Sequence, residues 1–285
     1  MNKLDRLLNK ADQFKESGKF KEALSTLTKA NKLSPNDPYV YLSYAVTFDM
    51  MEQFKYSIKY YSMALNIKEN DPKILTQYGI TLCRINRVDE AINIFIKSIG
   101  INPDYSLAVW HLAIAYKVSG LYEEAIKLFE QCMTSEYDQY FDEIHYQLGL
   151  CYFDMGWTLE AIKQFNSHIE IVPEDSWAYL SLGTCYFDLG WLDEAIGKYK
   201  EIIGFDPEFI PSYSSLAFSY AEKGWYSEAI DVLREAQRLA PDDQSVKDNI
   251  DYIESMIDDG GNSLILLKIL IEICKLRQRH EGQNI

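Results

Sequence analysis

Proline and glycine are scarce, 8 and 14 in a chain of 285 residues. That excludes collagen-like and linker-rich organisation. Cysteine is limited to Cys83, Cys132, Cys151, Cys185 and Cys274, an odd number without a CxxC pair. Such spacing excludes a disulfide framework and points to reduced, mostly buried thiols in a cytoplasmic protein. Basic residues are outnumbered, 28 against 43 acidic, for a net charge of −15. A field of that sign repels phosphate backbones and anionic lipid, so no nucleic-acid partner is expected. No apolar run reaches the length of a membrane span. The opening MNKLDRLLNKADQF is charged and lacks the apolar core of a signal peptide.

Catalytic signatures are missing too. Neither GxGxxG nor GxxxxGK[ST] occurs to cradle a phosphate, and neither GxSxG nor HExxH supplies a nucleophile or a metal pair. His111, His145, His168 and His280 have no paired-ligand spacing. Acidic residues in the EA pairs at 123–125, 160–161 and 194–195 sit at helix starts, where they favour the positive end of the helix dipole. The chain is therefore expected to be no enzyme, with no catalytic residue, no metal and no cofactor.

What is present is a repeat. The segments CYFDMGWTLEAI (151–162) and CYFDLGWLDEAI (185–196) start 34 residues apart. The same frame returns GLYEEAI at 120–126 and GWYSEAI at 224–230, and upstream GKFKEAL at 18–24, with weaker echoes at 54–58 and 87–92. Seven units follow: 4–37, 38–71, 72–105, 106–141, 142–175, 176–209 and 210–243. Each carries two small residues 12 apart: Ala11 and Ala23, Ala45 and Ser57, Gly79 and Ala91, Ala113 and Ala125, Gly149 and Ala161, Gly183 and Ala195, Ala217 and Ala229. Apolar residues around them recur at helical spacing, which predicts an αα-hairpin whose helices approach closely at the small residues. Gly18, Gly120, Gly156, Gly190 and Gly224 fall between the two helices, where a turn needs a permissive backbone. Pro35, Pro103, Pro173, Pro207 and Pro241 end the second helix of their units.

This pattern resembles the tetratricopeptide repeat family, in register over 240 of the 285 residues. The second unit departs most, with Ser57 in place of Ala and no proline at its own end. The resemblance implies an all-α fold, a right-handed superhelical solenoid of seven helix-turn-helix repeats with C-terminal capping helices. No unit could bury its apolar face alone, so stability must come from stacked neighbours.

The resemblance also implies a concave groove lined by first helices, whose main function is to bind a protein or peptide partner. The matching positions are Tyr39, Leu42, Val46, Ile80, Trp110, Ile114, Tyr146, Leu150, Phe153, Trp177, Leu180, Phe187 and Phe218. They are apolar and aromatic, as suits a partner segment with bulky apolar side chains, although Leu and Ile here also serve packing between repeats. One branch of the family grips a terminal carboxylate with groove Lys and Asn. Here the corresponding sites hold Leu8, Asp12, Leu42, Val46, Thr76 and Ile80, which cannot build that clamp.

Two further features stand apart. Trp157, Trp191 and Trp225 follow the turn glycine in three successive units, with Leu121 one unit earlier. A turn usually takes polar residues, so this edge is either a docking strip or a seal over the neighbouring turn. After Pro241, residues 244–259 read as a capping helix with Val246, Ile250, Ile253 and Ile257 on one side. Gly260 and Gly261 break it, and residues 262–281 form a last helix that is apolar except for Lys268, Glu272 and Lys275 before a basic end. At 1.5 Å per residue its apolar part spans about 20 Å, too short to cross a bilayer. It can dock on its own solenoid, pair with another subunit as a homo-oligomer contact, or, least favoured, lie at a membrane surface.

The sequence thus points to an interaction scaffold or adaptor that holds an apolar segment in its groove. One alternative is a self-assembling structural subunit using the Trp edge and the last helix. A second is a peptide- or ligand-sensing regulator.

Overall fold

The computed structural model describes residues 2–134 and 141–258. Among them the chain forms helices and no strand, fifteen helices in antiparallel succession. They fall in two compact units, Met1–Tyr137 and Asp138–Ile285.

The first unit holds four hairpins: α1 (Lys3–Glu16) with α2 (Phe20–Leu33), α3 (Pro38–Met50) with α4 (Phe54–Ile67), α5 (Pro72–Arg84) with α6 (Val88–Ile101), and α7 (Ser106–Val118) with α8 (Tyr122–Thr134). Each second helix packs on the next first helix, and α1, α3, α5 and α7 also touch in sequence. The second unit repeats the scheme with α9 (Phe141–Asp154) and α10 (Thr158–Ile171), α11 (Ser176–Asp188) and α12 (Leu192–Phe205), and α13 (Ile210–Glu222) and α14 (Tyr226–Leu239). Then α15 (Gln244–Asp258) packs on α14 and α13, the contacts a further first helix would make.

Local chemistry sets the boundaries. Asp37, Asp71, Asp175 and Asp243 precede α3, α5, α11 and α15, and their carboxylates accept backbone N–H groups of the first turn. That satisfies donors otherwise left open at a helix start. At the other end, α2, α6, α10, α12 and α14 stop two residues before Pro35, Pro103, Pro173, Pro207 and Pro241.

The small-residue pairs are fully buried where the two helices of a hairpin meet; Ala11, Ala23, Ala217 and Ala229 keep no exposed surface. Where glycine stands at the first position, an aromatic ring of the second helix fills the space: Phe95 over Gly79, Phe165 over Gly149 and Tyr199 over Gly183. Ser57 occupies its pair position fully buried, so the second hairpin closes in the same way.

One detail of the capping helix differs from the sequence expectation. Val246, Ile250 and Ile253 are buried, but the fourth buried position is Met256, while Ile257 is 47 % exposed. A period of 3.6 residues per turn carries the stripe from 246 on to 257, so the exchange of Ile257 for Met256 comes from the packing at the end of α15 and not from the period. The expected helix over 262–281, with Cys274 and His280, lies outside the described residues.

Candidate partner-binding surfaces

First helices carry the candidate groove. In the first unit their exposed side forms a cavity of about 700 Å³ between α1, α3 and α5. Leu4, Leu8, Leu42 and Val46 supply its apolar wall, and Tyr39 stands at its margin. Polar groups share the cavity in rows set by the repeat: Asn9, Ser43 and Gln77 are successive at 34-residue spacing, and so are Asp5, Tyr39 and Lys73. Lys15, nearly buried, places its ammonium 2.6 Å from Asp12 Oδ1 and 3.3 Å from Ser43 Oγ. An apolar wall with a few oriented polar groups is the composition of a binding cleft.

Tyr39 is held firmly. Its hydroxyl donates to Asp71 Oδ2 and accepts from Lys68 Nζ, both at 2.7 Å. Burial works to raise the Asp71 carboxyl, but the hydrogen bonds from Lys68 and Tyr39 outweigh it and hold that carboxyl below its ordinary range. The same contacts raise the Lys68 ammonium. The ring at the cavity margin is thereby fixed in place.

The other expected groove residues divide by burial. Ile80 and Ile114 are half-buried. Trp110 is only 4 % exposed, its ring edge-on to Phe129 at 5.3 Å, so most of its surface is spent on hairpin packing. In the second unit, Leu180 and Phe218 are buried in the cluster that joins α11 to α15. Leu150, Phe153 and Phe187 are half-buried. Tyr146 lies between Phe165 and His168, and burial pushes its hydroxyl up to about 12. Trp177 packs edge-on against Phe209. Leu42 is 5 % exposed, yet it lines the first-unit cavity.

The turn edge has its own geometry. Gly190 adopts φ 75°, the Trp191 N–H donates to the Tyr186 carbonyl at 2.9 Å, and the Gly190 N–H donates to Phe187 at 2.9 Å. This is the Schellman closure of a helix end, which brings the residue after glycine onto the residue five before it. Accordingly Trp191 stacks on Tyr186 and Trp157 on Tyr152, both at 5.9 Å, and Trp225 meets Tyr220 tilted by 39° at 5.7 Å. The indoles still keep 50, 45 and 43 % of their surface for Trp157, Trp191 and Trp225, and Leu121 keeps 43 %. Stacking accounts for an aromatic residue there, and leaves its outer half open.

Cys83 and Cys132 carry thiols that burial pushes up to about 11. Among the described residues no three His, Cys, Asp or Glu side chains come together as a metal set. None of the helices described is long and apolar enough to cross a membrane.

The comparisons with known proteins agree with this geometry. Residues 210–243 match the tetratricopeptide repeat family, and residues 118–202 match the family described as anaphase-promoting complex, cyclosome, subunit 3. The chain contains tetratricopeptide repeats. A tetratricopeptide repeat protein from Parabacteroides merdae shares 15 % identity with it, covering 88 % of this chain and 98 % of that one, with a TM-score of 0.64. PilW, a type IV pilus biogenesis factor, shares 19 % over 73 % of this chain and 96 % of its own, with a TM-score of 0.66. YrrB, a tetratricopeptide repeat protein with an unusual peptide-binding site, shares 20 % over 65 and 94 %, with a TM-score of 0.52. At such identities the shared property is the fold. No curated protein matches this sequence. Repeat proteins of this family are in general protein–protein interaction modules.

The cavity's polar rows were missed in the sequence, although a signal was there. Asn9, Ser43 and Gln77 are each three residues before Asp12, Val46 and Ile80, so one register step along the first helices finds them.

Proposed function

We propose that this protein is a non-catalytic interaction scaffold that holds an apolar segment of a partner protein on the first-helix side of its hairpins. The observation that carries the reading is the cavity between α1, α3 and α5, where Leu8, Leu42 and Val46 face the same space as Asn9, Gln77, Lys15 and Lys73. The apolar side chains offer the driving force, and the amides and ammonium groups offer hydrogen bonds to a peptide backbone or its polar residues. In the second unit Leu150, Phe153 and Phe187 have the surface to extend such contacts, whereas Trp110, Leu180 and Phe218 serve mainly as the packing beneath. The wide spacing of the five cysteines, without a CxxC pair, supports a reducing, cytoplasmic setting.

Selection of random displayed peptides on the immobilised full chain tests this. Enriched peptides should carry bulky apolar residues and lose binding on Val46→Arg, which changes a half-buried side chain of the cavity. Absence of enrichment, or peptides indifferent to Val46→Arg, overturns it.

A second reading, a self-assembling subunit, is favoured by one observation, the exposed outer halves of Trp157, Trp191 and Trp225. A mass independent of concentration in light scattering removes that reading.

A further inference from the structure

The tryptophan edge of the second unit is an apolar strip with acidic borders. Beside Trp157, Leu159 is 60 % exposed, and the two line a recess of about 440 Å³ with Leu189 and Glu160. Glu160, Glu194 and Glu228 are exposed in the helix turns that follow the three indoles, whereas Asp193 is paired with Lys223, whose ammonium lies 4.3 Å from the centre of the Trp225 ring. A fitting occupant is therefore apolar and positively charged.

The chain delivers such a segment to this place. The short link after α14 makes α15 antiparallel to it and parallel to α13, so the C-terminal end of α15 lies at the turn that carries Trp225. The electrostatic influence of Glu222 and Tyr226 on the Tyr252 hydroxyl shows the same neighbourhood. Exposed Ile257 stands at the exit. Beyond it, residues 259–263 span at most about 17 Å when extended, more than the 8–10 Å between packed helices. Residues 264–276 (LILLKILIEICKL) are apolar apart from Lys268, Glu272 and Lys275, and Arg277 and Arg279 follow. The sign of that charge complements the carboxylates along the edge.

The other nearby surface rejects the segment. In an eighth hairpin it would pack on the side of α15 that bears Lys247, Asp251, Glu254 and Ser255. Asp251 stands in the register of Ala217, the small residue at which α13 meets α14, and it is exposed. A carboxylate at a close helix contact would be desolvated without a partner.

We propose that residues 264–276 dock in cis along the tryptophan edge, over Trp225 and Trp191, through their apolar side chains. That withdraws the edge from other proteins and leaves the first-helix side of the hairpins available.

The test places the photoreactive amino acid p-benzoylphenylalanine at Trp191, and separately at Trp225, in a mixture of light and isotopically heavy full-length chains. The expected result is a cross-link from either position to residues 264–276 of the same chain, lost in Leu266→Asp/Leu270→Asp. Acrylamide should also quench tryptophan emission more strongly in that double variant. Cross-links joining light to heavy chains would overturn the proposal in favour of a second copy as occupant. No cross-link to the segment from either position, with quenching unchanged, would also overturn it, and binding of that chain to phosphatidylglycerol vesicles would then assign the segment to a lipid surface.

Discussion

The Tyr199 ring occupies the place where a side chain of residue 183 would begin: a β-carbon on Gly183 would lie 2.5 Å from Tyr199 Cε1. Tyr199 is almost wholly buried, so it has little room to withdraw. Alanine normally improves a helix interior by about 1 kcal/mol over glycine. At Gly183 the clash reverses the sign, and Gly183→Ala should cost about 1–3 kcal/mol. Gly197, one hairpin partner away in α12, has nothing within 4 Å of its would-be β-carbon, and Gly197→Ala should stabilise by about 0.5–1 kcal/mol. Urea unfolding of the two variants reads the opposite signs directly.

The turn of the second hairpin holds Glu52 at φ 57°, a conformation that glycine takes at Gly18, Gly120, Gly156, Gly190 and Gly224. Its hydrogen bonds are the same, with the Gln53 N–H donating to the Phe48 carbonyl at 2.8 Å. A side chain in this left-handed region costs about 1 kcal/mol. Glu52→Gly should recover most of it and raise the denaturation midpoint without altering the steepness of the transition.

Trp191 is worth more than its exposed half suggests, because the other half closes the Schellman turn on Tyr186. Trp191→Ala should destabilise by about 1 kcal/mol through lost apolar contact. Trp191→Leu should restore part of that, since Leu121 closes the equivalent turn beside Tyr116, where its N–H donates to the Tyr116 carbonyl at 2.9 Å. Thermal melts of the three chains side by side check the order.

His111, stacked on Phe95 with ring centroids 6.0 Å apart, is held by burial at a pKa of about 4. In the unfolded chain an imidazole titrates near 6.5. Between these values the unfolded state binds the additional proton, so stability falls as pH drops from about 6.5 toward 4 and is unaffected by this group above that range. The loss should be about 2 kcal/mol by pH 5. His111→Phe should flatten that part of the stability–pH curve, measured by urea unfolding at pH 7.5, 6 and 5.

The architecture was legible because its causes are local. The small pairs, turn glycines and helix-ending prolines each act within one hairpin, and a 34-residue period multiplies the signal. The surfaces were less legible because exposure is decided by neighbours. Trp110 and Val46 both stand on first helices, but Phe129 covers the first while the second borders an open cavity. The capping aspartates follow the same logic. Asp71 and Asp175 read as ordinary acidic residues until the structure sets them at helix starts, beside Tyr39 and His168 respectively. The Tyr186–Trp191 contact was hidden for another reason. Five residues apart on a helix do not face each other, and only the left-handed glycine between them folds the chain back.

Hydrogen–deuterium exchange of the full chain, with and without a peptide obtained by display selection, tests the central claim most directly. The account predicts slowed exchange along α1, α3 and α5, centred on the segments that carry Asn9, Ser43 and Gln77. Protection confined to the turns at 156–160, 189–194 and 223–228, with α1, α3 and α5 unchanged, would contradict it.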